Sequence, residues 1–252
     1  MFKIPKITLL DVETSPILGL SWGVYDQTLL KVIRPSQIMS IAWKQLGSNE
    51  SNVRCIADYS DYIKGQLDDK SLIQDVWSIL DSSDVIIGQN SDKFDLPKIN
   101  ARFVIHNLPP PSSYKTVDTL KIAKKFFRFD SNKLDDLCNY LGLKGKVSHG
   151  GFSLWERCIE GDPKAWEKMK EYNLQDVFAL EDVYLKLRPY ATTHPDISLL
   201  TESTNAGYNC PTCLSTNVQK RGFSFTKFFR KQRYQCMECN SWSSGTPERI
   251  KQ

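Results

Sequence analysis

No apolar run in this sequence is long enough to cross a bilayer: stretches such as Val85-Ile86-Ile87 fall far short of the ~20 residues that a spanning helix needs. No signal-peptide core is visible either, because Asp11 and Glu13 would interrupt it. Internal repeats and low-complexity tracts are absent, which sets aside a repeat array or a disordered tail. A secreted disulfide framework is also missing. The seven cysteines divide into two C-x-x-C pairs (Cys210, Cys213, Cys236, Cys239) and three scattered thiols (Cys55, Cys138, Cys158), a pattern that suits metal in a reducing compartment better than disulfides. A cytoplasmic location without a membrane partner is the expectation.

What remains is an ordinary globular composition. The 252 residues are 40% apolar and 25% charged, enough for one large domain and a small one. The net charge of +4 is unevenly placed. From Tyr208 to Gln252 there are eight Lys/Arg and two acids, a net +6, so the rest of the chain carries −2. An acidic body with a basic tail fits an acidic catalytic centre joined to a phosphate-seeking module; a merely solubilising tail would look the same.

The pattern along the chain is mixed α/β. Lys6–Thr14 reads as a strand, and strand-like stretches follow at Leu20–Val24, Leu29–Ile33, Ser40–Trp43 and Val53–Ala57, as in a meander. Leu72, Val76, Ile79 and Leu80 have helical spacing. Val85–Gly88 reads as a short buried strand, and Asp95–His106, Thr119–Phe127 and Asn132–Leu141 as helices. The clearest helix runs from Asp162, a candidate N-cap, through Pro163 to Leu187, and Pro189 ends it. Trp22 and Trp43 read as core residues, and His149 as a loop histidine without a role.

Three short motifs carry chemistry. Asp11 and Glu13 are two apart on a strand and therefore share a face. Adjacent carboxylates repel as they lose water, and a divalent cation would convert that liability into a site; a solvated acidic edge is an equal reading of the pair alone. Asn90, Phe94 and Asp95 lie where a strand-derived loop enters a helix, and Asp95 alone reads as an N-cap. Tyr172 and Asp176 are four apart on the long helix and leave it from one face.

Together and in this order, D-x-E, N-x-x-x-F-D and Y-x-x-x-D resemble the DEDD (DnaQ-like) exonuclease superfamily over roughly residues 4–188. The middle motif, followed by Pro97 and Arg102, is similar to the proofreading domain of family B DNA polymerases. Tyr172 marks the DEDDy branch, since the histidine branch would need His where this chain has Glu171. The resemblance implies an RNase H-like mixed sheet flanked by helices and 3′→5′ hydrolysis of phosphodiester bonds by two Mg²⁺ or Mn²⁺ ions. Asp11, Glu13 and Asp176 would hold the ion that activates water. Asp11, with Asp95 acting through water, would hold the other. Tyr172 would position the water rather than deprotonate it, because an unperturbed phenol, pKa ~10, is a poor base at neutral pH. Asn90 and Phe94 would touch the nucleic acid; Phe94 reads equally as core filler. The substrate tilts toward DNA, a single strand or a 3′ end, with RNA open.

Cys210-x-x-Cys213 and Cys236-x-x-Cys239 can turn four thiolates toward one structural Zn²⁺, with a β-hairpin between them. They resemble a zinc ribbon. Lys220, Arg221, Lys227, Arg230, Lys231 and Arg233 interleave with five aromatic residues there, which suits single-stranded nucleic acid; a protein partner is the competing reading. The expected organisation is an exonuclease domain at 1–190, a linker at 191–207 and the ribbon at 208–252. An RNase H-like endonuclease or transposase-type nuclease is the main alternative, but in such proteins the ribbon precedes the last acid, whereas here all four acids precede Cys210. The other alternative is a non-catalytic nucleic-acid binder.

Overall fold

The computed structural model describes residues 4–23, 25, 28–143, 151–201 and 208–249. Strand β1 (Ile7–Thr14) is followed by the short pair β2 (Leu18–Leu20) and β3 (Lys31–Arg34), then by β4 (Ile38–Gln45) and β5 (Ser51–Cys55). Next come α1 (Lys70–Asp81), β6 (Val85–Gly88), α2 (Asp95–Ile105), β7 (Lys115–Asp118), α3 (Thr119–Phe126), α4 (Leu134–Tyr140), α5 (Ser153–Ile159) and α6 (Pro163–Leu187). The C-terminal part holds β8 (Val218–Phe225), β9 (Phe229–Cys236), β10 (Trp242–Ser244) and β11 (Glu248–Arg249).

Five strands form the main sheet in the order β5-β4-β1-β6-β7. β1, β4 and β5 pair antiparallel, while β6 and β7 join parallel to β1. Alternation along β1 divides its side chains between two cores. Leu10 and Val12 join Leu72, Val76 and Ile99 of α1 and α2 on one side. Leu9 joins Ile122, Leu137, Val177 and Leu180 of α3, α4 and α6 on the other. Helices on both faces of a mixed sheet are the architecture expected from the sequence.

Helix α6 serves both cores. Its first turns place Ala165, Trp166 and Met169 in the first cluster, and its later turns place Val177, Leu180, Val183 and Tyr184 in the second. Tyr172, Asn173 and Asp176 fall at the crossover. The start is set by Asp162, whose carboxylate accepts from Lys164 N at 2.9 Å, with Pro163 in the first turn. Two buried ion pairs pin the frame: Lys44 of β4 with Glu181 of α6, and Asp69 with Arg102 of α2.

Some expectations need correction. The first two strand-like stretches after β1 shrink to β2 and β3, which form a two-stranded sheet apart from the main one. Among the described residues that pair is largely exposed, and Trp22 in its connection is 87% exposed rather than core, while Trp43 does pack against the first cluster. β7 and α5 have no counterpart in the sequence pattern. β7 offers one apolar residue, Val117, among four, and α5 has seven residues and no side-chain cap, so neither leaves a periodic signal. The expected linker contains a turn, Ile197–Leu200, that buries Ile197 in the second cluster. His149 lies outside the described residues. Among those described, no helix is long and apolar enough to cross a membrane.

Candidate active site

The carboxyl ends of the three parallel strands, a common crevice for ligands in open α/β sheets, gather the acids. Asp11 and Glu13 are half-buried near the end of β1, on the Leu9 face that α6 covers. Asp176 is 4% exposed. One carboxylate oxygen from each of Asp11, Glu13 and Asp176 lies within 4.8 Å of the others. Three hard oxygen donors at that separation fit a Mg²⁺- or Mn²⁺-type ion, which takes carboxylates and water rather than thiolates.

Asn173, three residues before Asp176 and fully buried, ties this cluster together. Its Nδ2 donates to Asp11 Oδ2 at 2.7 Å and to the Asp11 carbonyl at 3.3 Å, and its Oδ1 accepts from the Ser40 hydroxyl at 2.7 Å. Asn173 lies inside the Y-x-x-x-D motif, at a position where the motif specifies no residue. Tyr172 is half-buried, its ring edge-on to Trp155 of α5 at 6.1 Å between centroids.

Asp95 is not one of the three donors that converge within 4.8 Å, but it lies against the backbone of β1 beside them. The N-cap of α2 is Phe94, so Asp95 is the first helical residue rather than a cap, and its Oδ1 accepts from Val12 N at 3.3 Å, between Asp11 and Glu13. Burial raises its carboxyl to about 7, and the charge of Asp118 adds to the rise. Asp118, at the end of β7, lies outside all three motifs. It caps α3 through Leu120 N and Lys121 N, and it also accepts from Asn90 N at 2.9 Å. The loop carrying the middle motif thus folds around Asp118. The turn is tight: a Cβ on Gly88 would stand 2.4 Å from Ser91, and Asn90 adopts a left-handed φ of 61°, which asparagine tolerates better than most residues. Asn90 borders a cavity of about 570 Å³ that Gln89, Lys124, Asn132 and Lys133 also line. Phe94 is 49% exposed, which removes it from the core. Arg102 is 5% exposed and holds Asp69 through two bonds of 2.7 and 2.5 Å, a structural role. Asp68, Asp69 and His106 also lie close together, but an ion there would have to displace that guanidinium.

The sulfurs of Cys210, Cys213, Cys236 and Cys239 cluster within 4.8 Å, with Cys210–Cys239 at 3.6 Å and Cys213–Cys236 at 3.7 Å. Thiolates ~2.3 Å from a tetrahedral zinc are about 3.8 Å apart, so the donor set fits. The two knuckles share one backbone plan. Cys210 N donates to Ser215 O and Cys236 N to Ser241 O, and Leu214 and Asn240 both take a left-handed φ. Hydrogen bonding with Cys210 and Cys213 pulls the Cys239 thiol far below its usual range, and bonding with Cys210 and Cys239 pushes Cys213 up. Lys220, Arg221, Lys227, Arg230, Lys231 and Arg233 are all exposed on or beside β8 and β9. The first cysteine pair is tied to the preceding segment where Ile197 N donates to Pro211 O at 2.9 Å.

The sheet order, the helices on both faces and the acids at the strand ends define an RNase H-like α/β domain. Residues 38–188 match the RNase_H_2 family, described as RNase_H superfamily, and the chain belongs to that superfamily. The match begins after the strand that carries Asp11 and Glu13. A family B DNA polymerase from the hyperthermophilic archaeon Pyrobaculum calidifontis aligns with 74% of this chain at a TM-score of 0.54 and 19% identity, a likeness of fold. This chain spans 25% of that polymerase. No curated protein matches it.

Proposed function

We propose that this protein is a 3′→5′ exonuclease of the DEDDy type that shortens nucleic acid, DNA foremost, with help from a C-terminal zinc ribbon. The observation that carries the reading is the convergence of Asp11 and Glu13 of β1 with Asp176 of α6, 165 positions beyond Asp11, to within 4.8 Å. The superfamily membership and the polymerase-like fold support it. Mg²⁺ or Mn²⁺ held by Asp11, Glu13 and Asp176, with a second ion at Asp11 and, through water, Asp95, would supply positive charge at the attacking water and the leaving 3′-oxygen. Asn173 fixes the Asp11 carboxylate, and the Val12 amide fixes Asp95 beside the strand. Tyr172 positions the water. Asn90 and Phe94, at the rim, contact the terminal nucleotides. The catalytic unit is residues 1–190, joined through 191–207 to a ribbon at 208–252 whose four cysteines hold one structural Zn²⁺.

The test uses purified protein, Mg²⁺ or Mn²⁺, and matched 5′-labelled single- and double-stranded DNA and RNA. Stepwise shortening is expected, abolished by Asp11→Asn or Asp176→Asn with the thermal transition retained, and reduced in part by Tyr172→Phe. A single internal cut would replace this reading with an endonuclease. Normal turnover in either Asn variant would refute the carboxylate assignment.

A further inference from the structure

The ribbon bears cations and rings on both faces of its sheet, yet the faces differ once the register is followed. Directly opposed residues of antiparallel strands project to one side. Trp242 opposes Gln235, Ser244 opposes Arg233, and Arg249 opposes Phe229. Alternation along β9 then places Phe229, Lys231, Arg233, Trp242 and Arg249 on one face. Phe223, Phe225, Arg230 and Glu248 share the other. On that second face Arg230 is engaged: it bonds Glu248 at 3.1 Å and lies 4.9 Å from the Phe223 ring centre. The first face has three cations and two rings, and its strand residues include neither a carboxylate nor an aliphatic side chain. Phe229 is 41% exposed and Trp242 52%, and the Arg233 guanidinium lies 5.6 Å from the Trp242 ring centre.

We infer that this Trp242–Arg233–Phe229 face is a stacking platform for a single-stranded segment of nucleic acid, an inference that rests on the nuclease reading above. Bases of a single strand offer free π-faces, whereas paired bases are already stacked on their neighbours. Exposed rings flanked by cations accept such bases while the cations hold phosphates. From Phe229 to Gln235 the face runs about 20 Å at ~3.4 Å per residue, room for several nucleotides. The missing aliphatics argue against a protein anchor, and the missing carboxylates leave its charge complementary to a polyanion. Trp242 lies outside the basic stretch between the knuckles, and only strand pairing brings it there.

The experiment measures binding of the full chain, carrying Asp11→Asn to prevent cleavage, to a fluorescein-labelled single strand and its duplex by anisotropy. Two chemically identical changes on opposite faces are compared, Arg233→Gln and Arg230→Gln. Arg233→Gln should weaken single-strand binding about fivefold or more and lower the salt slope by ~0.7, while Arg230→Gln stays within about twofold. Trp242→Ala should weaken it by about 5- to 150-fold, the range for one stacked base. Trp242→Phe should keep most of the affinity, and Trp242→Leu should not, although either would serve for packing. Zinc content of one ion per chain identifies folded ribbons, and the arginine pair decides the matter if Trp242 variants lose it. Equal losses on both faces, a preference for duplex, or affinity untouched by all these changes would overturn the platform. Failure of wild-type protein to shorten any oligonucleotide would instead sink the nuclease reading, with the face-dependence of binding still measured.

Discussion

Asn173 offers the sharpest perturbation of the proposed catalytic centre because it touches Asp11 without itself being a carboxylate. Its amide donates to Asp11 Oδ2 at 2.7 Å inside a site with no solvent exposure at Asn173. A hydrogen bond to a charged group contributes about 1.5–3 kcal/mol. If Asn173→Ala releases the Asp11 carboxylate from its orientation, that range corresponds to a loss of about 10- to 150-fold in kcat. The same change removes the acceptor of the buried Ser40 hydroxyl, costing about 1–3 kcal/mol of stability. At ~2–4 °C per kcal/mol for a chain of this size, Tm should fall by about 2–12 °C. The assay is cleavage of a 5′-labelled strand across a Mg²⁺ titration, beside a thermal melt. The expected signature is a raised Mg²⁺ requirement together with the lower rate, and Ser40→Ala should give a milder version of both. A lower Tm with an unchanged rate and Mg²⁺ requirement would refute the positioning role and leave Asn173 as packing alone.

Asp69 should be a pure stability residue. Removing it strands Arg102, 5% exposed, so Asp69→Ala is expected to cost about 3–5 kcal/mol by denaturant unfolding. A change under 1 kcal/mol would contradict that account. Lys44 and Glu181 form a second buried pair, and Glu181 also accepts from Gly47 N at 2.7 Å. Lys44→Met or Glu181→Leu alone should destabilise by about 3–5 kcal/mol, and the double change by much less; additive losses would show that the pair is not coupled. Chelation of zinc should unfold the ribbon, releasing one equivalent per chain to a colorimetric dye, while the helical circular dichroism of the larger domain persists. No metal release on unfolding would count against a zinc centre.

Much of the layout is legible without coordinates. The alternation Leu9, Asp11, Glu13 states that both carboxylates leave β1 on one face, and the spacing Val177, Leu180, Tyr184 states which side of α6 is buried. Cysteine spacing gives the four sulfur donors directly. These are local regularities, carried by a period of two or 3.6 residues or by a short motif. Elements too short to show a period, such as β7 and α5, leave no such mark.

What the tertiary structure alone decides is which distant groups meet. Asn173 reaches Asp11 across 162 residues and Ser40 across 133, and no periodicity encodes either bond. Asp118 joins the site because β7 runs parallel to β6 and ends beside the Asn90 loop. Trp22 looks like core by composition and is exposed because β2 and β3 stand off the main sheet. Trp242 shares a face with Arg233 only through strand register. Sequence fixes each residue's chemistry and its local direction; contacts between remote segments depend on how sheets and helices pack, which sums the burial of the whole chain.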